Sequence, residues 1–210
     1  MPLRLGLLLI ACLATACASG PSDRGAGRKQ KRKLTRFTFD DVDSNQETGG
    51  ELPHQDEAAL VDGQGQPRKL SEWRGKPVVL VFTRGFAGYV CPYCTTYTAQ
   101  IAVRYPEITA QGAEVLLVFP TKEDDVAQRQ KFQTAVEEIL AEEGEEGLPF
   151  PVFLDPGLGV TTTFNLLGDL SKPATFVLDR EGTVRYAYVG NAPDERPSVD
   201  RILQELQGLN

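Results

Sequence analysis

The sequence predicts an α/β domain with a mixed central sheet flanked by helices, and three observations carry that prediction. Short apolar runs rich in β-branched residues, Val78 to Phe82 and Glu114 to Phe119, read as strands buried on both faces, as in a parallel sheet. Stretches with apolar residues at helical spacing separate the strands. The final strands, headed by Pro173 and by Val184, are joined only by Arg180-Glu-Gly-Thr183, a hairpin turn that makes them antiparallel. A domain spanning residues 51–210 is long enough to bury a core of its own.

Taken in order, the chain opens on a segment outside that domain. Met1-Pro-Leu-Arg4 supplies a positive start, and Leu5 to Leu13 an apolar stretch too short to span a bilayer, so residues 1–16 read as an export signal. Leu13-Ala-Thr-Ala-Cys17 resembles a bacterial lipobox, which implies lipidation of Cys17 and an exported, membrane-anchored protein facing the periplasm or the cell exterior. Leu9-Ile-Ala-Cys12 fits the same rule but leaves a very short apolar region, and ordinary cleavage with Cys17 incidental is the alternative. Residues 17–50 read as a flexible polar tether, with seven basic residues between Arg24 and Arg36 and an alternating Phe37 and Phe39 as its one strand-like feature. From Phe37 onward 14 Lys and Arg stand against 28 Asp and Glu, a body too acidic to bind nucleic acid non-specifically.

Within the domain, Leu60 to Leu70 holds Gly-rich turn residues between two apolar segments and predicts a small hairpin, with Ser71-Glu-Trp-Arg-Gly75 leading into the strand at Val78. A helix follows Cys91 and Cys94, with Cys94, Tyr97, Ile101 and Ile108 along one face and Pro106 kinking or ending it. Thr121-Lys-Glu-Asp124 reads as a capping box for a second helix carrying Phe132, Val136, Ile139 and Leu140, which stops near Gly144 before an acidic, solvated stretch. Pro151 to Asp155 is a third strand, and Asp155 to Leu167 a turn with a short helix. Arg196 to Leu206 is the last helix, with Val199, Ile202, Leu203 and Leu206 facing inward.

The chemistry concentrates at Cys91-Pro-Tyr-Cys94. Strand, loop, cysteine, helix is the local order, which places Cys91 at a helix N-terminus, where unpaired N–H groups and the helix dipole favour thiolate over thiol. Cys91 is thus the candidate nucleophile, and Cys94, one turn on, the thiol that closes an intramolecular disulfide. Zinc would need four ligands, and with Cys12 removed and Cys17 capped the chain offers one histidine, His54, which reads as a surface residue. The same shortage excludes a Ser-His-Asp set and a copper-chaperone site, and no metal or cofactor is expected. Trp73 and Tyr89 read as packing residues.

From Leu60 to Leu206 the chain resembles the AhpC/TSA peroxiredoxin-like (redoxin) members of the thioredoxin-fold superfamily. The resemblance rests on the hairpin followed by Leu70-Ser-Glu-Trp-Arg-Gly-Lys-Pro-Val-Val-Leu-Val-Phe82, the cysteine loop, Pro173-Ala-Thr-Phe-Val-Leu-Asp-Arg-Glu-Gly182, and Arg196-Pro-Ser-Val-Asp-Arg-Ile-Leu203. It implies a thioredoxin-like fold with an N-terminal hairpin extension, and a Pro173 that is cis and faces the cysteine pair. The chain departs from the family's P-x-x-x-T-x-x-C pattern, having Arg84 at the proline position and Gly88 at the threonine position. Pro173 occupies the place of the family's usual arginine, and Arg84 is the candidate to supply its charge to Cys91, with a plain surface arginine as the alternative. Three function classes follow. A thiol-disulfide oxidoreductase working with a protein partner or reductant comes first, a thiol peroxidase reducing hydroperoxides at Cys91 second, and a non-catalytic binding module on a redoxin scaffold third.

Overall fold

A computed structural model of the protein describes residues 59–85, 89–123 and 125–209, together with Leu34, Phe37 and Phe39. Cys12, Cys17, His54 and Gly88 lie outside the described residues, and with them the expected signal, the expected lipidation site and the position aligned with the family's threonine. The hairpin of β1 (Ala59–Val61) and β2 (Pro67–Lys69) forms as expected, with Leu60 opposite Arg68. The Asp62 carboxylate closes its turn by accepting the N–H groups of Gln64 and Gln66, both at 2.9 Å. A 3-10 turn, Leu70–Trp73, leads to β3 (Val78–Phe82). Then come α1 (Pro92–Val103), α2 (Tyr105–Ala110), β4 (Glu114–Thr121), α3 (Val126–Glu143), β5 (Val152–Pro156), α4 (Gly159–Thr163), β6 (Ala174–Leu178), β7 (Val184–Val189) and α5 (Val199–Gln207).

The seven strands form one sheet in the order β2-β1-β5-β4-β3-β6-β7. β3, β4 and β5 run parallel; β6, β7 and the hairpin are antiparallel to their neighbours. The protein therefore has the thioredoxin-like, mixed-sheet fold that the sequence implies. Because strand side chains alternate, Val79 and Val81 of β3 enter one apolar cluster with α1, α3 and α5, while Val78, Leu80 and Phe82 enter a second with Leu70, Val160 and Leu166.

Several local expectations change. The capping box at Thr121 does not form. Thr121 ends β4, and Asp125 caps α3 instead, accepting the Gln128 N–H at 3.0 Å. α1 is covered nearly all round, with Cys94 through Ala99, Ile101 and Ala102 buried, so its threonines lie inside rather than on a wet face. Pro106 does interrupt the helical run, by opening α2 in its first turn. Phe37 and Phe39 form no strand; they pack as single rings against α1. Tyr89 is exposed to 55%, not packed, whereas Trp73 meets Phe153 edge-on at 5.4 Å. The final helix starts at Val199, capped by the Ser198 hydroxyl, and leaves Arg196 in the loop before it.

Candidate active site

Strand β3 delivers the chain to the edge where its parallel neighbour β4 also ends, and α1 returns from there. Cys91 is the N-cap of α1 and Pro92 its first residue, where the missing N–H costs no helix hydrogen bond. The Thr95 N–H closes the first turn onto the Cys91 carbonyl at 3.1 Å. Both thiols are free and buried. The loop leaving β3 is pinned by Ser171, whose hydroxyl donates to the Thr83 carbonyl at 2.8 Å and accepts the Gly85 N–H at 2.9 Å. A Cβ at Gly85 would stand 2.2 Å from the Pro120 carbonyl oxygen, so only glycine lets the loop lie this close to β4. The Arg84 N–H is thereby aimed at the Cys94 sulfur, 3.3 Å away.

The charge beside the thiols comes from a residue the sequence did not single out. Arg196 is 1% exposed, and its Nη2 donates to Cys94 Sγ at 3.1 Å. Its Nε donates to the Pro193 carbonyl, and its guanidinium lies 5.1 Å from the centre of the Tyr97 ring. Among the described residues no carboxylate pairs with it. A buried cation needs compensation, and here the available anion is a sulfur. Arg84, expected to bring charge to Cys91, instead contributes its main-chain N–H to Cys94. Pro173 heads β6, one residue beyond the Phe82–Ala174 pair, at the cysteine end of the sheet. Its carbonyl accepts the Gly190 N–H at 2.8 Å, which ties it to the loop that carries Arg196.

The two thiols differ in acidity. Cys91 is lowered from 9.0 to about 6, first by the hydrogen bond from the Cys94 side chain and further by the Cys94 N–H, the Arg196 charge and the Tyr93 N–H, with burial acting against them. Cys94 is pushed well above 9.0, first by burial and then by its bond to Cys91; Arg196 and the Arg84 N–H pull the other way. At neutral pH the pair therefore carries one negative charge, on Cys91. The polar groups around the pair are N–H donors. They suit an anionic sulfur.

This arrangement fits the comparisons with known proteins. The AhpC/TSA family matches residues 51–187. The chain belongs to the AhpC/TSA family. As a member it is a thiol-dependent oxidoreductase, in keeping with the dithiol just described. It is 29% identical to the chloroplastic peroxiredoxin Q of Sedum lineare over 71% of this chain and 74% of that one. It is 30% identical to a putative peroxiredoxin of Synechocystis over 72% of each. Peroxidoxin BcpB of Mycobacterium tuberculosis superposes with a TM-score of 0.59 at 23% identity, covering 79% of this chain and 99% of that one, a likeness of fold. The chain spans 63% of the length of the rice peroxiredoxin Q.

What the sequence missed was Arg196. It stands 102 positions from Cys94, and its only local signal was its place at the head of the Arg196-Pro-Ser-Val-Asp-Arg-Ile-Leu203 stretch.

Proposed function

We propose that this chain is a thiol peroxidase of peroxiredoxin type, with Cys91 as the peroxidatic and Cys94 as the resolving thiol. This reverses the order of the first two sequence readings. The carrying observation is the asymmetry of the pair: an acidic Cys91 at a helix N-cap, and a buried Cys94 that accepts from a buried arginine at 3.1 Å. The names of the relatives, peroxiredoxins, support the same reading.

In the first step the Cys91 thiolate attacks one peroxide oxygen. The S–O bond forms, the O–O bond breaks, and the alkoxide leaves and takes up a proton, giving Cys91 sulfenic acid and an alcohol. The charge on Cys91 is then gone, and with it both influences of Cys91 that held Cys94 protonated. Burial alone still opposes ionisation, while Arg196 and the Arg84 N–H favour it. The opposition to ionising Cys94 is thereby reduced, with burial, its largest cause, still in place. The Cys94 thiolate attacks the Cys91 sulfur, the S–S bond forms, and hydroxide leaves as water. An external dithiol returns the disulfide to the reduced pair and is itself oxidised.

Stopped-flow oxidation of the reduced protein by a stoichiometric hydroperoxide tests the proposal. A Cys91 rate constant far above that of a free thiol of equal pKa is expected. A rate no faster than that free thiol favours disulfide exchange, the reading for which the C-x-x-C pair speaks.

The exported, lipid-anchored location belongs to the same proposal. It is supported by the apolar Leu5 to Leu13 stretch and by Leu13-Ala-Thr-Ala-Cys17. Mass spectrometry of the mature N-terminus should find a lipidated Cys17, and an unmodified N-terminus would exclude it.

A further inference from the structure

Leu34, Phe37 and Phe39 precede β1 by 20 residues or more, yet they lie on α1. The Phe37 ring meets Tyr93 with centroids 4.0 Å apart, and Phe39 meets Tyr97 edge-on at 4.9 Å. The Gln100 side-chain amide donates to the carbonyls of Leu34 at 2.8 Å and Phe37 at 3.0 Å. Tyr93, Tyr97 and Gln100 follow one another at helical spacing, so the three contacts run along one stripe of the helix. Using both amide hydrogens of one glutamine on two carbonyls fixes the segment in position as well as in depth.

The placement is specific to the chemistry. Tyr93 stands between the two cysteines, and Tyr97 carries Arg196 over its ring while its hydroxyl meets that of Thr175 at 3.2 Å. Phe39, Cys91, Cys94 and Tyr97 share one buried cluster, with Leu34, Phe37 and Tyr93 packed on it. Helix ends fray most easily, and the first turn of α1 holds both reacting sulfurs.

We propose that the segment carrying Leu34, Phe37 and Phe39 is a strap that positions the dithiol, clamping the first two turns of α1 so that Cys94 meets the Cys91 sulfur within the intact helix. The strap acts through Tyr93 and Tyr97 and touches no substrate. Its peroxide consequence rests on the peroxidase reading: with the strap loosened, Cys91 sulfenic acid outlives its normal partner and a second peroxide takes it to sulfinic acid. Ring closure by itself does not depend on that reading.

The test therefore uses an aromatic disulfide that releases a coloured thiolate. The Cys91 thiolate attacks it and expels one aromatic thiolate; Cys94 then attacks the mixed disulfide and expels the second, closing Cys91–Cys94. In the full mature chain carrying Phe37→Ala and Phe39→Ala, the first release should stay within about twofold of wild type and the second should slow by about tenfold or more, the scale of a small misplacement of reacting atoms. Phe37→Leu with Phe39→Leu should recover most of the second phase. Should the double alanine variant fail to fold, Gln100→Glu, which removes the donors to both carbonyls at nearly the same size, should slow the second phase selectively. An unchanged second phase in a folded variant, or equal slowing of both, overturns the strap. A wild-type protein that reacts with peroxide no faster than a free thiol removes the peroxidase reading and leaves this test standing.

Discussion

On the proposed peroxidase mechanism, replacing Arg196 by methionine should separate the two chemical steps. Methionine covers the Tyr97 ring but removes the charge and both donated hydrogen bonds. Removing the cation leaves the buried Cys91 thiolate without its charge partner, so the reduced fold should lose more than the roughly 1 kcal/mol that the missing bond to Pro193 costs, and folding of the variant is checked first. In the first step Arg196 is a minor influence, since the bond from Cys94 leads in lowering Cys91 to about 6. Even a rise of about one unit would take the thiolate from about nine tenths to about one half at pH 7, so peroxide attack slows about twofold. In the second step the guanidinium contact at 3.1 Å stabilises the Cys94 thiolate directly. A hydrogen bond to a charged group contributes about 1.5–3 kcal/mol, which corresponds to slowing of roughly 10- to 150-fold. Rapid mixing with one equivalent of hydroperoxide, followed by quenching and mass spectrometry, counts sulfenic acid and disulfide over time. Sulfenic acid should accumulate in Arg196→Met and pass quickly in wild type. Disulfide formation unchanged within about twofold would refute the role given to Arg196.

Peroxide attack should rise with pH through about 6 and then level off, as the Cys91 thiolate fills. Because its folded pKa lies below the ordinary 9.0, Cys91 adds stability that is complete above about pH 9 and lost as pH falls through 6; with solvent screening it contributes about 1 kcal/mol at pH 7. Cys94 has the opposite sign and destabilises the reduced fold above its ordinary value of 9.0. Unfolding of reduced wild type and Cys91→Ser from pH 5 to about 8 should show a gap that widens with pH, and a constant gap would contradict the assignment. Cys94→Ser should leave peroxide attack within a few-fold and stop at sulfenic acid, visible as the gain of one oxygen; a disulfide formed at normal speed within the monomer would rule out Cys94 as the resolving thiol. Gly85→Ala pushes a methyl group to 2.2 Å from the Pro120 carbonyl and disturbs the Ser171 bond, so denaturant unfolding should show a loss of about 2–4 kcal/mol. A loss under about 0.5 kcal/mol would mean that the loop can move aside freely.

What the sequence determined by itself is what local physics can write. The run Val78 to Phe82 specified a strand buried on both faces, the Asp62 turn a hairpin, and Cys91 followed by proline a helix N-terminus with an acidic thiol, because hydrophobic period, turn residues and capping act over a few positions. Those signals already set Cys91 at the helix end apart from Cys94 inside the first turn, although both sulfurs prove to be buried. Local reading failed where two local solutions competed, as when Asp125 capped α3 in place of Thr121. Only the tertiary structure decided which arginine serves the sulfurs. Arg84, near in sequence, turned out to give a main-chain N–H, while Arg196 arrived across 102 positions because the β7–α5 loop folds back along Pro173 and Gly190. A guanidinium reads as surface charge until packing excludes every alternative partner. The same holds for Phe37 and Phe39, whose polar surroundings suggest a free tether; their value lies in Tyr93, Tyr97 and Gln100, three positions that become one surface only after the helix has formed.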